Sequence, residues 1–153
     1  MKKSLFITLL LLIAFSSIAL AAPVAKALVD STPESAVLEN IDQWVIAHPV
    51  QEGAISRADT IFKSPRGQVR LVVNKPGPGD GRHIHMSADE IVVVYKGKGE
   101  VYLNGEWTPI KEGDVHICPR GVTHAFRSNE DMWLVSIHTP PQVGGDDKIW
   151  IDR

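Results

Sequence analysis

GPGDGRHIHMSADEIVVVYKGKGEVYLNGEWTPIKEGDVHICPRGVTHAFRSN, residues 77–129, is the stretch from which the rest of the chain is read, and it holds His83, His85, His116 and His124 of the six histidines. Alternate side chains of a strand point to one face, so the HIH of residues 83–85 presents two imidazoles to one side of a sheet. Glu90 follows a short polar segment and immediately precedes the apolar run IVVVY, which puts a carboxylate at the mouth of the next strand. His124 lies on a third segment, past the turn-forming Pro119, Arg120 and Gly121, and supplies a fourth donor if the strands curl over one another. Three imidazole nitrogens and one carboxylate oxygen suit a divalent transition metal, namely Mn, Fe, Zn, Ni, Co or Cu.

At these residues the chain resembles the cupin superfamily. The first motif of that family is Gly, five residues, His-x-His, three or four residues, Glu, six residues, Gly; Gly77, His83, His85, Glu90 and Gly97 fill it. The second is Gly, five residues, Pro-x-Gly, two residues, His, three residues, Asn; Gly113, Pro119, Gly121 and His124 fit, while Ser128 stands at the Asn position. The resemblance covers about residues 60–140. It implies a small single-domain metal-binding cupin and assigns His83, His85, Glu90 and His124 as the metal ligands.

Outward from the motifs, the period stays that of strands. Residues 60–63 and 69–74 read as short strands around the turn SPRG, and the Gly- and Pro-rich PGPGDG delivers His83. Within residues 91–95, Val92 and Val94 share a face with Glu90, so both are expected beside the site. Phe126 shares a face with His124 and is expected as an apolar wall of the pocket. Asn104-Gly105 between VYL and WTPI is a type I′ hairpin signal. His116 alternates with Val115 and Ile117; if those two face the core, His116 faces away. Cys118 is the only cysteine, which excludes an internal disulfide and reads as a buried small hydrophobe or a reactive thiol. His138 ends the last strand, residues 133–138, where it reaches either the pocket rim or solvent.

Short strands with turn signals and no βαβ alternation give an all-β fold, a single closed jelly-roll barrel over residues 54–140, preceded by one amphipathic helix. That helix is expected over residues 33–48, with Thr32 as N-cap, Pro33 at the first helical position, and Val37, Ile41, Trp44 and Val45 as its apolar stripe. His48 is expected to meet the last helical carbonyls. Residues 22–32 read as a flexible leader. In the tail, residues 141–153, Trp150 and Ile151 are apolar residues expected to tie it to the barrel or to a second subunit, so a homodimer is expected by analogy.

The amino terminus carries a different signal. Lys2 and Lys3 precede an apolar core, Leu5 to Leu20, and Ala19-Leu20-Ala21 is a small-x-small cleavage site. Residues 1–21 thus read as a Sec-type signal peptide, with an uncleaved anchor as the other reading, and the protein as periplasmic or extracellular. Without those residues 14 basic and 18 acidic residues remain, a net charge of −4, which argues against nucleic acid and against an anionic membrane surface as partners.

The expected function is that of an exported metal-dependent enzyme: a lyase, isomerase or oxygenase acting on a small organic acid, sugar or aromatic compound. The alternative is a metal-containing protein that binds a small ligand without turnover. The two differ in one feature. An enzyme needs a second titratable group near the open metal positions, and a binding module does not.

Overall fold

Strands dominate the chain because its β-branched and aromatic residues recur at period two between turns. A computed structural model describes residues 38–143 and 147–152, all within the compact unit Ala36–Arg153. The strands are β1 (Ser56–Lys63), β2 (Gln68–Asn74), β3 (His83–His85), β4 (Asp89–Lys96), β5 (Lys98–Leu103), β6 (Glu106–Lys111), β7 (Val115–Cys118), β8 (Ala125–Ser128), β9 (Met132–Thr139) and β10 (Lys148–Trp150). They form a five-stranded sheet ordered β1-β2-β9-β4-β7, a three-stranded sheet β6-β5-β8 and a two-stranded sheet β10-β3. All the pairings are antiparallel.

Register decides which residues look inward. Directly opposed residues of an antiparallel pair share a face. Val92 opposes Ser136 on one side and His116 on the other, Glu90 opposes His138 and Cys118, and Val72 opposes Leu134. These residues therefore lie on one face of the five-stranded sheet. Val92, Val94, Met132 and Leu134 from it meet Val101 and Ile110 of the three-stranded sheet to form the inner core. Full burial of each such side chain stabilises the fold by about 1.5–3 kcal/mol.

The opposite face of the same sheet is covered by a helix. α1 (Ile41–Ala47) sets Trp44, 7% exposed, against Leu71 and Val73. The described helix is shorter than the expected 33–48. Asn40 caps it, its side chain accepting from the Gln43 backbone N–H, and Leu38, Glu39 and Asn40 are not helical. An Asn with extended backbone satisfies an orphan amide and defines the start more strongly than the apolar stripe does. The expected Thr32 cap, the leader and the signal peptide fall outside the described residues. At the other end the His48 backbone N–H and ring Nδ1 both meet the Trp44 carbonyl.

The expected closure of the barrel is corrected: no continuous ladder joins the described sheets. Two isolated bridges, Gly77 with Ser128 and His83 with His124, tie the Gly-rich loop and β3 to β8 and the residue before it. The first lays the Gly-rich loop along β8. At Gly79, φ is +73° and an added Cβ would stand 1.8 Å from the Phe126 carbonyl oxygen, so only glycine lets the loop approach this closely. Ser128, which departs from the second motif, still belongs to β8, and its backbone pairs with that of Gly77. The Asn104-Gly105 turn joins β5 to β6 with φ of 53° and 95°, both positive as a type I′ turn requires.

Candidate metal centre

The bridge between His83 and His124 builds the site. His83 N–H donates to the His124 carbonyl at 3.0 Å, and His124 N–H returns the bond at 2.9 Å. Two histidines 41 positions apart are thereby held side by side, their rings tilted by 60° with centroids 4.3 Å apart. His85, two residues along β3, turns the same way, with ring centroids 5.3 Å from His83 and 5.2 Å from His124. Glu90 comes from β4, with Oε2 3.0 Å from His124 Nε2 and 3.9 Å from His85 Nε2. All four side chains are buried.

The other nitrogen of each imidazole is already engaged. His83 Nδ1 lies 3.1 Å from the Gly81 carbonyl and His85 Nδ1 lies 3.0 Å from Asp147 Oδ2. His124 Nδ1 lies 3.0 Å from the Val122 carbonyl and 2.9 Å from Cys118 Sγ. A ring that donates through Nδ1 keeps its lone pair on Nε2, the form that ligates a metal. His124 Nε2 is buried and faces Glu90 Oε2 at 3.0 Å. One donor atom each from His83, His85 and His124 lie within 4.8 Å of one another, and so do donors from His85, Glu90 and His138. Two nitrogens each about 2.1 Å from one ion stand roughly 3–4 Å apart, so small side-chain movements bring the set to bonding distance. The residues fit a divalent transition metal.

The protonation of two of the three histidines fits as well. Burial pushes His83 down to about 3 and His85 down to about 4, so both rings are neutral at pH 7. His124 goes the other way. Burial opposes its charged form, but Cys118 Sγ, the Glu90 carboxylate and the Val122 carbonyl together push it up to about 10. Burial would raise Glu90, yet His124 and His138 hold it well below the usual carboxylate range. The contact thus favours an imidazolium facing a carboxylate.

Two histidines lie elsewhere than expected. His138 is fully buried, Nε2 3.3 Å from Glu90 Oε1, because β9 opposes it to Glu90. Solvent at the end of that strand is excluded. His116 also faces inward, 8% exposed, its ring 4.9 Å from that of Phe126, while Val115 and Ile117 are 57% and 63% exposed. The alternation of β7 holds, but the apolar residues take the outer face. Burial pushes His116 down to about 4, and its Nε2 has no partner among the described residues.

The pocket expectations divide. Val92 and Phe126 line a cavity of ≈ 90 Å³ bounded by His83, His85 and Glu90, whereas neither Val94, which packs in the inner core, nor His138 is among its lining residues. Cys118 is 1% exposed, in keeping with a small buried group.

Three contributors have no signal in the motifs. Ser136 Oγ donates to Glu90 Oε1 at 2.7 Å, fixing the carboxylate. The Gln142 amide nitrogen lies 3.1 Å from His85 Nδ1 and 3.0 Å from His138 Nε2. Asp147, 3% exposed, is brought in by β10, which pairs Lys148 with His85 and Trp150 with His83. The tail is thus part of the site's framework; its strand KIW, with apolar residues out of place in a loose end, was the only hint.

Residues 70–138 match the Cupin domain family model. Over 70 residues the chain is 34% identical to an uncharacterised protein of Aquifex aeolicus, covering 46% of this chain and 58% of that one. Over 73 residues it is 33% identical to the L-ectoine synthase of Desulfatibacillum aliphaticivorans, covering 46% of this chain and 56% of the synthase. The chain therefore spans little more than half the length of these relatives. Among solved structures, a conserved protein with a double-stranded β-helix domain from Klebsiella pneumoniae superposes with a TM-score of 0.64 at 20% identity, covering 78% of this chain and all of that one. Together these likenesses support the cupin superfamily and its fold.

Proposed function

We infer that this chain, whose residues 70–138 match the Cupin domain family model, is a metal-dependent enzyme acting on a small molecule, with His83, His85, Glu90 and His124 as the metal ligands. One observation carries the reading: three buried imidazoles each have Nδ1 beside an acceptor, a donor atom of each lies within 4.8 Å of the others, and Nε2 of His85 and of His124 faces the Glu90 carboxylate. When bound there, a divalent metal supplies a Lewis acid for a carbonyl or carboxylate oxygen, or a bound water of lowered pKa. The chain's own residues hold the ligands in place and exclude water. Ser136 and His138 fix Glu90 through Oε1, leaving Oε2 toward His85 and His124.

His138 favours turnover over simple binding. It is a buried titratable group outside the four-ligand set, within reach of Glu90 and of the Gln142 amide, and therefore placed to hold or pass a proton. The 33% identity with an L-ectoine synthase supports a small-molecule enzyme in general, not that reaction. Lyase, isomerase and oxygenase chemistry on a small acid, sugar or aromatic compound are the reaction classes proposed. The basic and apolar pattern of residues 1–21 supports export through a Sec-type signal, with action in the periplasm or outside the cell.

The test is turnover of a panel of small hydroxy acids, keto acids and sugars by the metal-loaded chain, followed by mass spectrometry, with chelated protein and His138→Gln in parallel. Product that disappears on chelation and falls in His138→Gln while metal is retained supports the enzyme. Product formation indifferent to chelation contradicts it.

A further inference from the structure

We propose that the cavity beside the histidine cluster binds a small carboxylate anion, with Arg70 holding the carboxylate. This rests on the reading of the site as one that handles a small molecule.

Arg70 lies in β2, opposite Thr60 of β1 and Ser136 of β9, on the same inward face as Val72. It is half-buried and lines the cavity that His83, His85 and Glu90 bound. An arginine turned inward gives up hydration and ordinarily recovers it from a carboxylate or a carbonyl. Among the described residues the Arg70 side chain has neither an ion pair nor a hydrogen bond. Its relatives on the surface do: Arg57 pairs with Asp59, Arg82 with Asp152, and Arg127 with Glu100.

The other charged groups of the cavity wall are already matched. Lys148 Nζ lies 2.9 Å from Asp80 Oδ2, and Glu90 faces His124 at 3.0 Å. Arg70 is the uncompensated charge of this wall among the described residues, before any cation at the histidine cluster is counted. An anion entering the cavity therefore meets a guanidinium that no carboxylate of the wall contacts.

Chemistry narrows the anion. A guanidinium presents parallel N–H groups whose spacing matches the two oxygens of a carboxylate. Ser136, opposite Arg70, donates to Glu90 Oε1 at 2.7 Å, so Arg70 and Glu90 flank one residue on one face of the sheet. A short acid held by Arg70 then occupies the cavity that His83, His85 and Glu90 line. Val72, Val92 and Leu134 line the same cavity and accept its carbon skeleton. A neutral amide of the same shape leaves the guanidinium unpaired and is disfavoured.

The experiment is calorimetric titration of the full chain with glycolate, lactate, malonate and the neutral lactamide, before and after removal of metal by a chelator. Arg70→Gln and Arg70→Lys are titrated alongside, with metal content and melting temperature measured for each. At least one acid binds the wild type, lactamide binds about tenfold or more weakly than lactate, and Arg70→Gln loses about tenfold or more of the acid affinity. Arg70→Lys keeps the charge and recovers part of it. Binding of no acid, equal affinity for lactate and lactamide, or unaltered acid affinity in both variants overturns the proposal. Metal content separates this from the wider reading. A chain without metal that still binds lactate through Arg70 keeps the carboxylate site and loses the metal centre, and the reverse result does the opposite.

Discussion

Asp147 Oδ2 lies 3.0 Å from His85 Nδ1, although the two residues are 62 positions apart in the chain. The aspartate is itself fixed: Ser87 N–H donates to its Oδ1 at 2.7 Å, the Ser87 hydroxyl also bonds it, and Met86 N–H donates to its carbonyl at 2.9 Å. Burial would raise its carboxyl, but the bonds from Ser87 and the nearby His85 hold it below the usual range. A carboxylate behind an imidazole fixes the tautomer and raises the basicity of the ligating nitrogen.

Asp147→Asn should therefore weaken metal binding by about 10–100-fold while the sheets remain intact. Competition against a chromophoric chelator measures the affinity, and circular dichroism checks the fold. Affinity equal to wild type would show that Asp147 serves only to dock the tail.

Metal uptake should release protons. His83 and His85, pushed down to about 3 and 4, are already neutral at pH 7. His124, pushed up to about 10, is not. Its folded value lies above the ~6.5 of an unfolded histidine, so its pairing stabilises the metal-free chain fully below about pH 6.5, and that contribution is lost as pH rises through the folded value. A metal ion must displace that proton, and apparent affinity should rise about tenfold per pH unit between pH 7 and 9. Calorimetry in two buffers of different ionisation enthalpy counts the protons. A count of zero at pH 7.5 would contradict the Glu90–His124 pair.

Trp44→Ala tests the helix that backs the large sheet. Trp44 is 7% exposed against Leu71 and Val73, residues of the strand that also carries Arg70. Removing the indole should cost about 3–5 kcal/mol, read as a lower urea midpoint, with metal stoichiometry unchanged in the folded fraction. A shift equivalent to less than about 1 kcal/mol would show that the neighbouring side chains collapse onto the space.

That His83, His85, Glu90 and His124 are brought close together was legible because period two and two short motifs fix their positions locally. The face of His116 was not. The reading assumed that the apolar members of VHIC turn inward, yet Glu90, Cys118 and His124 make this part of the interior polar, and Val115 and Ile117 stand outside. The rule that sends apolar residues inward weakens where a site occupies the interior. His138 depended on the register of β9 against β4, which no local pattern encodes. Asp147 depended on a strand of three residues added after the motifs end. The helix start turned on a single cap, Asn40, against a stripe that reads equally well from further upstream.

The most direct test is elemental analysis of the protein purified without added metal or chelator, beside His83→Ala, His85→Ala and His124→Ala. About one transition-metal ion per chain in the wild type, lost in all three folded variants, is the predicted result. A wild type that carries no metal and takes up none on titration, or variants that keep the wild-type content, would contradict the assignment of the centre.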